Sequence, residues 1–276
     1  MRETNSLSLA VSRRKILSLA GMGLAGLALA AWSPMSLAQS APWTRHDAIT
    51  NLLDGREPET SGVTLELPSV SEDGSSIPLT VSVDSPMSDD DYVESVYLFA
   101  PDNPNPQIAA FHFTPQSGRA RVSTRIRLNE SQRVFAVAKL SNGDMRIAHQ
   151  EARVTVSGCL MDDSTYDSSG LMQARVRVPG SVRSGEAAEV LTMINHPMET
   201  GFREGSDGET LPRHIVQSFV MEMDGETVFR VELHPSLSAN PYLRFHVKPR
   251  SSGTVTMTWE DDQGQTTREE ASINVS

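Results

Sequence analysis

From residue 63 onward the chain sustains no helical repeat. It is a succession of short runs in which apolar and polar residues alternate, broken by Gly, Pro, Asn and Asp. A period of two places every second side chain on one face, so each run can bury only one side of a strand. Segments 63–67, 77–83, 92–99, 108–113, 119–128, 133–140 and 145–156 read as strands. That number of half-buried strands in a row predicts a β-sandwich, in which two sheets cover each other's apolar faces.

The pattern stops at Ser157-Gly158-Cys159 and resumes near residue 171. Residues 160–170 have no period, carry three aspartates and three serines, and close on a glycine, which reads as a linker. Runs at 172–178, 187–194, 215–223, 227–233, 242–248, 254–259 and 266–275 then predict a second sandwich. Within it, Asp224-Gly225 between two alternating runs is a two-residue hairpin signal. No close internal repeat is visible between the halves. Ahead of the strands, 44–53 reads as one short helix with Thr44 as N-cap, Asp47 in the capping-box position and Gly55 at its end. The fold class expected is therefore all-β, two sandwiches preceded by a short helix.

Residues 1–38 read as an export signal of the twin-arginine type. Ser12-Arg13-Arg14-Lys15 precedes an apolar stretch from Leu17 to Trp32, and Ser36-Leu37-Ala38 supplies small residues for cleavage. The stretch is glycine-interrupted and shorter than the roughly 20 residues that span a bilayer. A periplasmic location is the expectation. Cleavage after Ala38 removes Arg2, Arg13, Arg14, Lys15 and Glu3, which shifts the formal charge from -11 to -14. Such an acidic chain argues against nucleic acid and anionic membrane as partners.

Cys159 is the only cysteine, so no disulfide forms within the chain. It follows Ser157-Gly158 at a strand end and precedes the polar linker, a position that favours exposure and marks Ser157 and Gly158 as a flexible arm. Asp162 and Asp163 disfavour the thiolate, so the cysteine is not expected to be an activated nucleophile of the protease kind. No other group reads as catalytic. There is no Gly-x-Ser-x-Gly elbow and no glycine-rich phosphate loop after a strand. His196, His214, His234 and His246 lack metal-ligand spacing on a helix, and Glu66, Asp84, Asp89, Asp90 and Asp91 read as a solvated turn; neither a metal nor a cofactor is expected. Met193, Met221, Met223 and Met257 fall in strand runs and are assigned to the core.

Several stretches in order carry a family resemblance. Residues 43–159 resemble SoxY, through Val81-Ser82-Val83-Asp84-Ser85-Pro86-Met87, Asn103-Pro104-Asn105-Pro106, Phe111-His112-Phe113-Thr114-Pro115 and Ser123-Thr124-Arg125-Ile126-Arg127-Leu128. Residues 171–276 resemble SoxZ, through His196-Pro197-Met198-Glu199-Thr200-Gly201, Leu233-His234-Pro235, Ala239-Asn240-Pro241-Tyr242 and Thr258-Trp259-Glu260-Asp261-Asp262. The resemblance implies immunoglobulin-like sandwiches that pair with each other and catalyse nothing themselves. It implies that Cys159 carries sulfur-oxidation intermediates covalently and presents them to a haem-containing sulfur-transfer oxidase, a sulfate-releasing hydrolase and a sulfane-oxidising enzyme. The family arm reads Gly-Gly-Cys-Gly-Gly at a free C-terminus, whereas this chain has Ser157-Gly158-Cys159-Leu160-Met161 and continues. That departure keeps open an alternative, a binding or scaffold module serving a quinoprotein-type dehydrogenase or another sulfur or redox partner.

Overall fold

The computed structural model describes residues 41–158, 170–205 and 207–276. The signal segment 1–38, Cys159, and residues 160–169 of the expected linker lie outside the described residues.

The first half supplies eight strands: β1 (Val63–Glu66), β2 (Val70–Asp73), β3 (Ile77–Val83), β4 (Val93–Phe99), β5 (Gln107–Phe113), β6 (Arg121–Ile126), β7 (Gln132–Leu140) and β8 (Met145–Val156). The second half supplies eight more: β9 (Ala174–Arg177), β10 (Ser181–Val182), β11 (Ala188–Ile194), β12 (Val216–Met223), β13 (Glu226–Leu233), β14 (Tyr242–Val247), β15 (Gly253–Asp261) and β16 (Thr266–Val275). They form two immunoglobulin-like sandwiches that share their sheets. One sheet runs β1-β3-β6-β14-β11-β9, the other β10-β16-β15-β12-β13-β5-β4-β7-β8-β2. The halves are joined by five residue pairs between β5 and β13, Ala109↔Leu233 to Phe113↔Phe229, and by Ser123↔Arg244 between β6 and β14. Intramolecular pairing is thus built from continuous sheets, not from two closed sandwiches touching.

The alternation in the sequence does what a period of two must do. β3 has a buried residue at every odd position, with Ile77, Leu79, Val81 and Val83 facing the core. Opposite them, across the seam, Phe111 stacks with Phe229 at 6.3 Å and Phe113 tilts against Phe229 at 5.3 Å. Asp224 and Gly225 both take positive φ, 50° and 86°, as the hairpin signal requires. Met221, Met223 and Met257 are buried. Met193 is not: Val190, Thr192 and Ile194 take the inward positions of β11, so strand parity turns Met193 outward, half-buried.

The helix also differs from expectation. Pro42–Arg45 forms a separate 3-10 turn closed by the His46 N–H bonding to the Trp43 carbonyl. The α-helix, Asp47–Leu53, therefore starts after His46, no side chain caps it, and Thr44 instead donates to the Ala41 carbonyl at 2.8 Å. Asp54 ends it in the left-handed conformation, followed by Gly55. Ile49 and Leu53, with Trp43, seal Phe99, Phe135 and Ile147 on the outer side of the longer sheet.

A repeat invisible in the residues is explicit in the wiring. Adding eight to each strand number of the first half reproduces the second: 1-3-6 becomes 9-11-14, and 5-4-7-8-2 becomes 13-12-15-16-10. Equivalent strands meet at the seam, as in an isologous dimer interface. The correspondence reaches single atoms. After β3, Met87 has φ 49°, its N–H bonds to Ser85 Oγ, and its Sδ accepts the Val93 N–H that opens β4. After β11, Met198 has φ 51°, its N–H bonds to His196 Nδ1, and its Sδ accepts the Val216 N–H that opens β12. Likewise the Arg127 N–H bonds to the Ser236 carbonyl while the Lys248 N–H bonds to that of Gln116.

Candidate functional site

Cys159 itself lies outside the described residues, but the residues that lead to it do not. At the end of β8 three backbone bonds tie the chain down: Gly74 N–H to the Val156 carbonyl at 3.0 Å, Leu128 N–H to Gly74 at 2.9 Å, and Gly158 N–H to Leu128 at 2.9 Å. Ser157 Oγ donates to Asn129 Oδ1 at 2.8 Å. A Cβ on Gly158 would stand 1.9 Å from the Gly74 carbonyl oxygen, and one on Gly74 would stand 2.5 Å from that of Leu128. Both glycines are there for close approach of backbones. Ser157 and Gly158, read from sequence as a flexible arm, are instead its fixed root.

The root stands on the seam between the halves. Ser238 Oγ donates to the Ser75 carbonyl at 2.8 Å, and the Ser238 N–H to that of Arg125 at 3.1 Å. Buried Asn103 is a hub. Its amide donates to the Arg127 carbonyl and to Ser236 Oγ, and its Oδ1 accepts from the Asn129 N–H and Gln132 Nε2. Arg127, 7% exposed, crosses to the other half, where Nη1 reaches the Met198 carbonyl at 2.5 Å and Nη2 that of Pro197 at 3.2 Å. A buried guanidinium that donates to two carbonyls of the other half ties the halves together. Asn103, Arg127, Ser236 and Ser238 were not singled out as site residues from sequence. Their partners lie up to 163 residues away, and no local period encodes such contacts.

Arg127 leads to a second cluster. His196 and Asp261 are fully buried and His214 is largely so. Their ligating atoms lie within 4.8 Å of one another, the one such group among the described residues. His214 Nε2 bonds to Asp261 Oδ2 at 2.9 Å, while Asp261 Oδ1 accepts the N–H groups of Gln263 and Gln265. Burial pushes the Asp261 carboxyl up, but the bonds from His214, Gln265 and Gln263 outweigh it and hold the carboxyl below its ordinary range. Burial and the neighbouring His214 push His196 down to about 4 against the pull of Asp261 and Asp262. Its Nδ1 accepts the Met198 N–H at 3.1 Å, so the neutral ring carries its proton on Nε2, 3.9 Å from Asp261 Oδ2 and without a hydrogen-bond partner. Ligation through Nε2 would move that proton to Nδ1, against the Met198 N–H. His196 therefore does not fit a metal ligand. His234 and His246 stand apart from this cluster, each held below its ordinary pKa chiefly by burial.

The acidic residues near β3 do not converge. Glu66 lies 3.8 Å from Arg121, Asp89 pairs with Arg250, and Asp91 closes a turn with Ser88, its N–H bonding to Ser88 Oγ.

Comparison with known proteins adds the family. The model described as sulfur oxidation protein SoxY matches residues 49–159, and that described as sulphur oxidation protein SoxZ matches residues 176–272. No curated protein matches the chain. Among solved structures, the sulfur carrier protein SoxY from Chlorobium limicola f thiosulfatophilum is 27% identical over 40% of this chain and 94% of that one, with a TM-score of 0.34. Superoxide reductases are also similar: neelaredoxin from Ignicoccus hospitalis (20% identity, 34% of this chain, 81% of that one, TM-score 0.31) and the enzyme from Nanoarchaeum equitans (15%, 34%, 99%, 0.30).

Proposed function

Because the chain is a fused SoxYZ-like protein of the Sox sulfur-carrier family, a SoxY domain followed by a SoxZ domain, we propose that Cys159 carries sulfur intermediates of thiosulfate oxidation covalently in the periplasm. The observation that carries this reading is the anchorage of Gly158. The only cysteine of the chain follows directly on a residue bonded at the seam of the two halves. A carrier needs a defined point of departure for its thiol and no active site of its own. In this reading the SoxZ half is structural, holding the root through Ser238 and Arg127.

Loading joins the Cys159 sulfur to the outer sulfur of thiosulfate. The thiol gives up its proton, and two electrons pass to the haem-containing oxidase. Attack of water on the terminal sulfur then releases sulfate and leaves a persulfide on Cys159 for the sulfane-oxidising enzyme. Asp162 and Asp163 disfavour spontaneous ionisation of the thiol, so activation falls to the loading enzyme. Export through the twin-arginine signal of residues 1–38 places the chain in the periplasm.

Intact-mass spectrometry tests the proposal. Incubation with thiosulfate and the oxidase of a Sox system adds the mass of a thiosulfate adduct to the wild-type protein and none to Cys159→Ser. An unloaded wild-type protein, under conditions that load a separate SoxY–SoxZ pair, contradicts it. Leu160 and Met161, where the family arm has glycines, are what favours the scaffold alternative. Full sulfur-dependent growth of a Cys159→Ser strain would establish that alternative.

A further inference from the structure

The outer face of the six-stranded sheet has a composition opposite to the chain as a whole. On β9, Ala174 and Val176 pack inward, which leaves Arg175 and Arg177 exposed on the other side. The register sets Arg175 beside Met193 and Met193 beside Tyr242, and sets Arg177 beside Leu191 and Leu191 beside Arg244. Arg244 in turn pairs with Ser123 of β6, which brings exposed Arg125 onto the same face. The guanidinium carbons of Arg125 and Arg244 lie 5.4 and 5.9 Å from the centre of the Tyr242 ring, and Arg244 Nε donates to the Tyr242 hydroxyl at 2.8 Å. The aromatic side chain is thereby fixed between two cations.

This is a half-buried apolar centre of Leu191, Met193 and Tyr242 ringed by four arginines, and it crosses the seam. Glu189 lies 3.9 Å from Arg244. Among the described residues no carboxylate pairs with Arg125, Arg175 or Arg177, in a chain whose formal charge is -11. Tyrosine, methionine and arginine are the residue types enriched at protein–protein interfaces. Exposed arginines over an ordered apolar centre suit a surface carrying carboxylates, which they can bind in bidentate fashion.

We infer that this face is the docking surface for an acidic protein surface, that of an enzyme acting on the carrier, read across both halves at once. The identity of the partner rests on the proposed carrier role; the charge and composition of the surface do not. The acidic remainder of the molecule disfavours a lipid bilayer or nucleic acid, whose extended negative charge reaches beyond the patch. It leaves room for a protein with a local cluster of carboxylates.

Binding can be separated from chemistry by working in Cys159→Ser full-length protein, so that loss of docking and loss of covalent loading are scored independently. Affinity for the haem-containing oxidase of a Sox system is measured at about 10 mM and about 1 M salt, where the Debye lengths are about 30 and 3 Å. Arg175→Glu/Arg177→Glu is expected to raise Kd at least tenfold at low salt, with the gap closing at high salt. Arg230→Glu/Arg268→Glu, the same change of charge on strands β13 and β16 of the other sheet, is expected to leave Kd within twofold. Equal Kd for the β9 variant and its parent, an equal loss in the control variant, or no saturable binding by the parent overturns the inference. So does binding to phosphatidylserine vesicles in place of the oxidase. Circular dichroism and thermal midpoint of each variant exclude loss of fold as the cause.

Discussion

A methyl group at residue 158 meets the Gly74 carbonyl oxygen at 1.9 Å, and that oxygen is itself bonded to the Leu128 N–H. Backbone cannot yield as a flexible side chain does. Gly158→Ala is therefore expected to cost about 2–4 kcal/mol through forced separation and loss of a bond in the triple contact. Urea denaturation measures it; a loss below about 0.5 kcal/mol would show that the root is not held as described. Ser157→Ala, which removes one bond to Asn129, should cost about 1 kcal/mol. The histidines make the other residue-level prediction. The His196 pKa is about 4 in the fold against an ordinary 6.5, so the unfolded chain binds the proton more readily between those values. Its contribution is fully present above pH 6.5 and is lost as pH falls toward 4, by at most about 3 kcal/mol. His112, His149, His234 and His246, all lowered, act in the same direction, and the lowered Asp261 adds a further loss below its ordinary pKa. His196→Asn keeps an acceptor near the Met198 N–H and has no titrating ring, so its urea midpoint should vary less between pH 6.5 and 4 than that of the parent. An identical pH profile for the two proteins would sink this account.

At the scale of elements, the longer alternating strands were legible and two short edge strands were not. β3, β12 and β15 fall within one or two residues of their expected spans, because buried and outward side chains alternate along most of each. β2 and β10 escaped the reading. Val70 is 62% exposed, and the two residues of Ser181–Val182 make no period. Both are edge strands held by parallel pairing, β2 to β8 and β10 to β16, so their cause lies in a partner about 80 or more residues away in sequence. The same limit applies to the root of the arm. Gly158 was legible as a glycine, but whether it gives freedom or close approach depends on Gly74, which pairing alone brings there. The seam between β5 and β13 carries the next prediction. Phe113 contacts Phe229 across it, so Phe113→Ala should cost about 3–5 kcal/mol and loosen the hold of one half on the other. With a protease site placed in the 160–170 segment, the cut parent should elute in size exclusion as one complex, and the cut Phe113→Ala protein as separate or broadened species. Co-elution of both with unchanged stability would count against the seam as the main bond between the halves.

For the molecule as a whole, the unit of folding is larger than the unit of the sequence pattern. Two runs of strands separated by a polar segment read as two sandwiches, and each half does have the wiring of one. Yet neither half closes its own sheets, since β5 and β6 of the first find their neighbours in β13 and β14 of the second. The constant offset of eight in strand number shows that equivalent strands fill this role. It was hidden because residues at matched places differ, Ser85 for His196 and Lys248 for Arg127, while only Pro-Met persists in the first pair. A shared core has a thermodynamic consequence. Apolar residues of both halves, from Leu65 to Ile273, belong to one contiguous cluster, so opening one half exposes the seam-facing phenylalanines of the other. Two separable sandwiches would melt independently in calorimetry. This chain should instead show one transition whose calorimetric and van't Hoff enthalpies agree, of about 160 kcal/mol near 60 °C for the span 41–276. Gly158→Ala, in the first half, should then lower the midpoint of the whole transition without splitting it. A split into two peaks, one at the parental temperature, would mean that the halves fold alone and that the seam only brings them together.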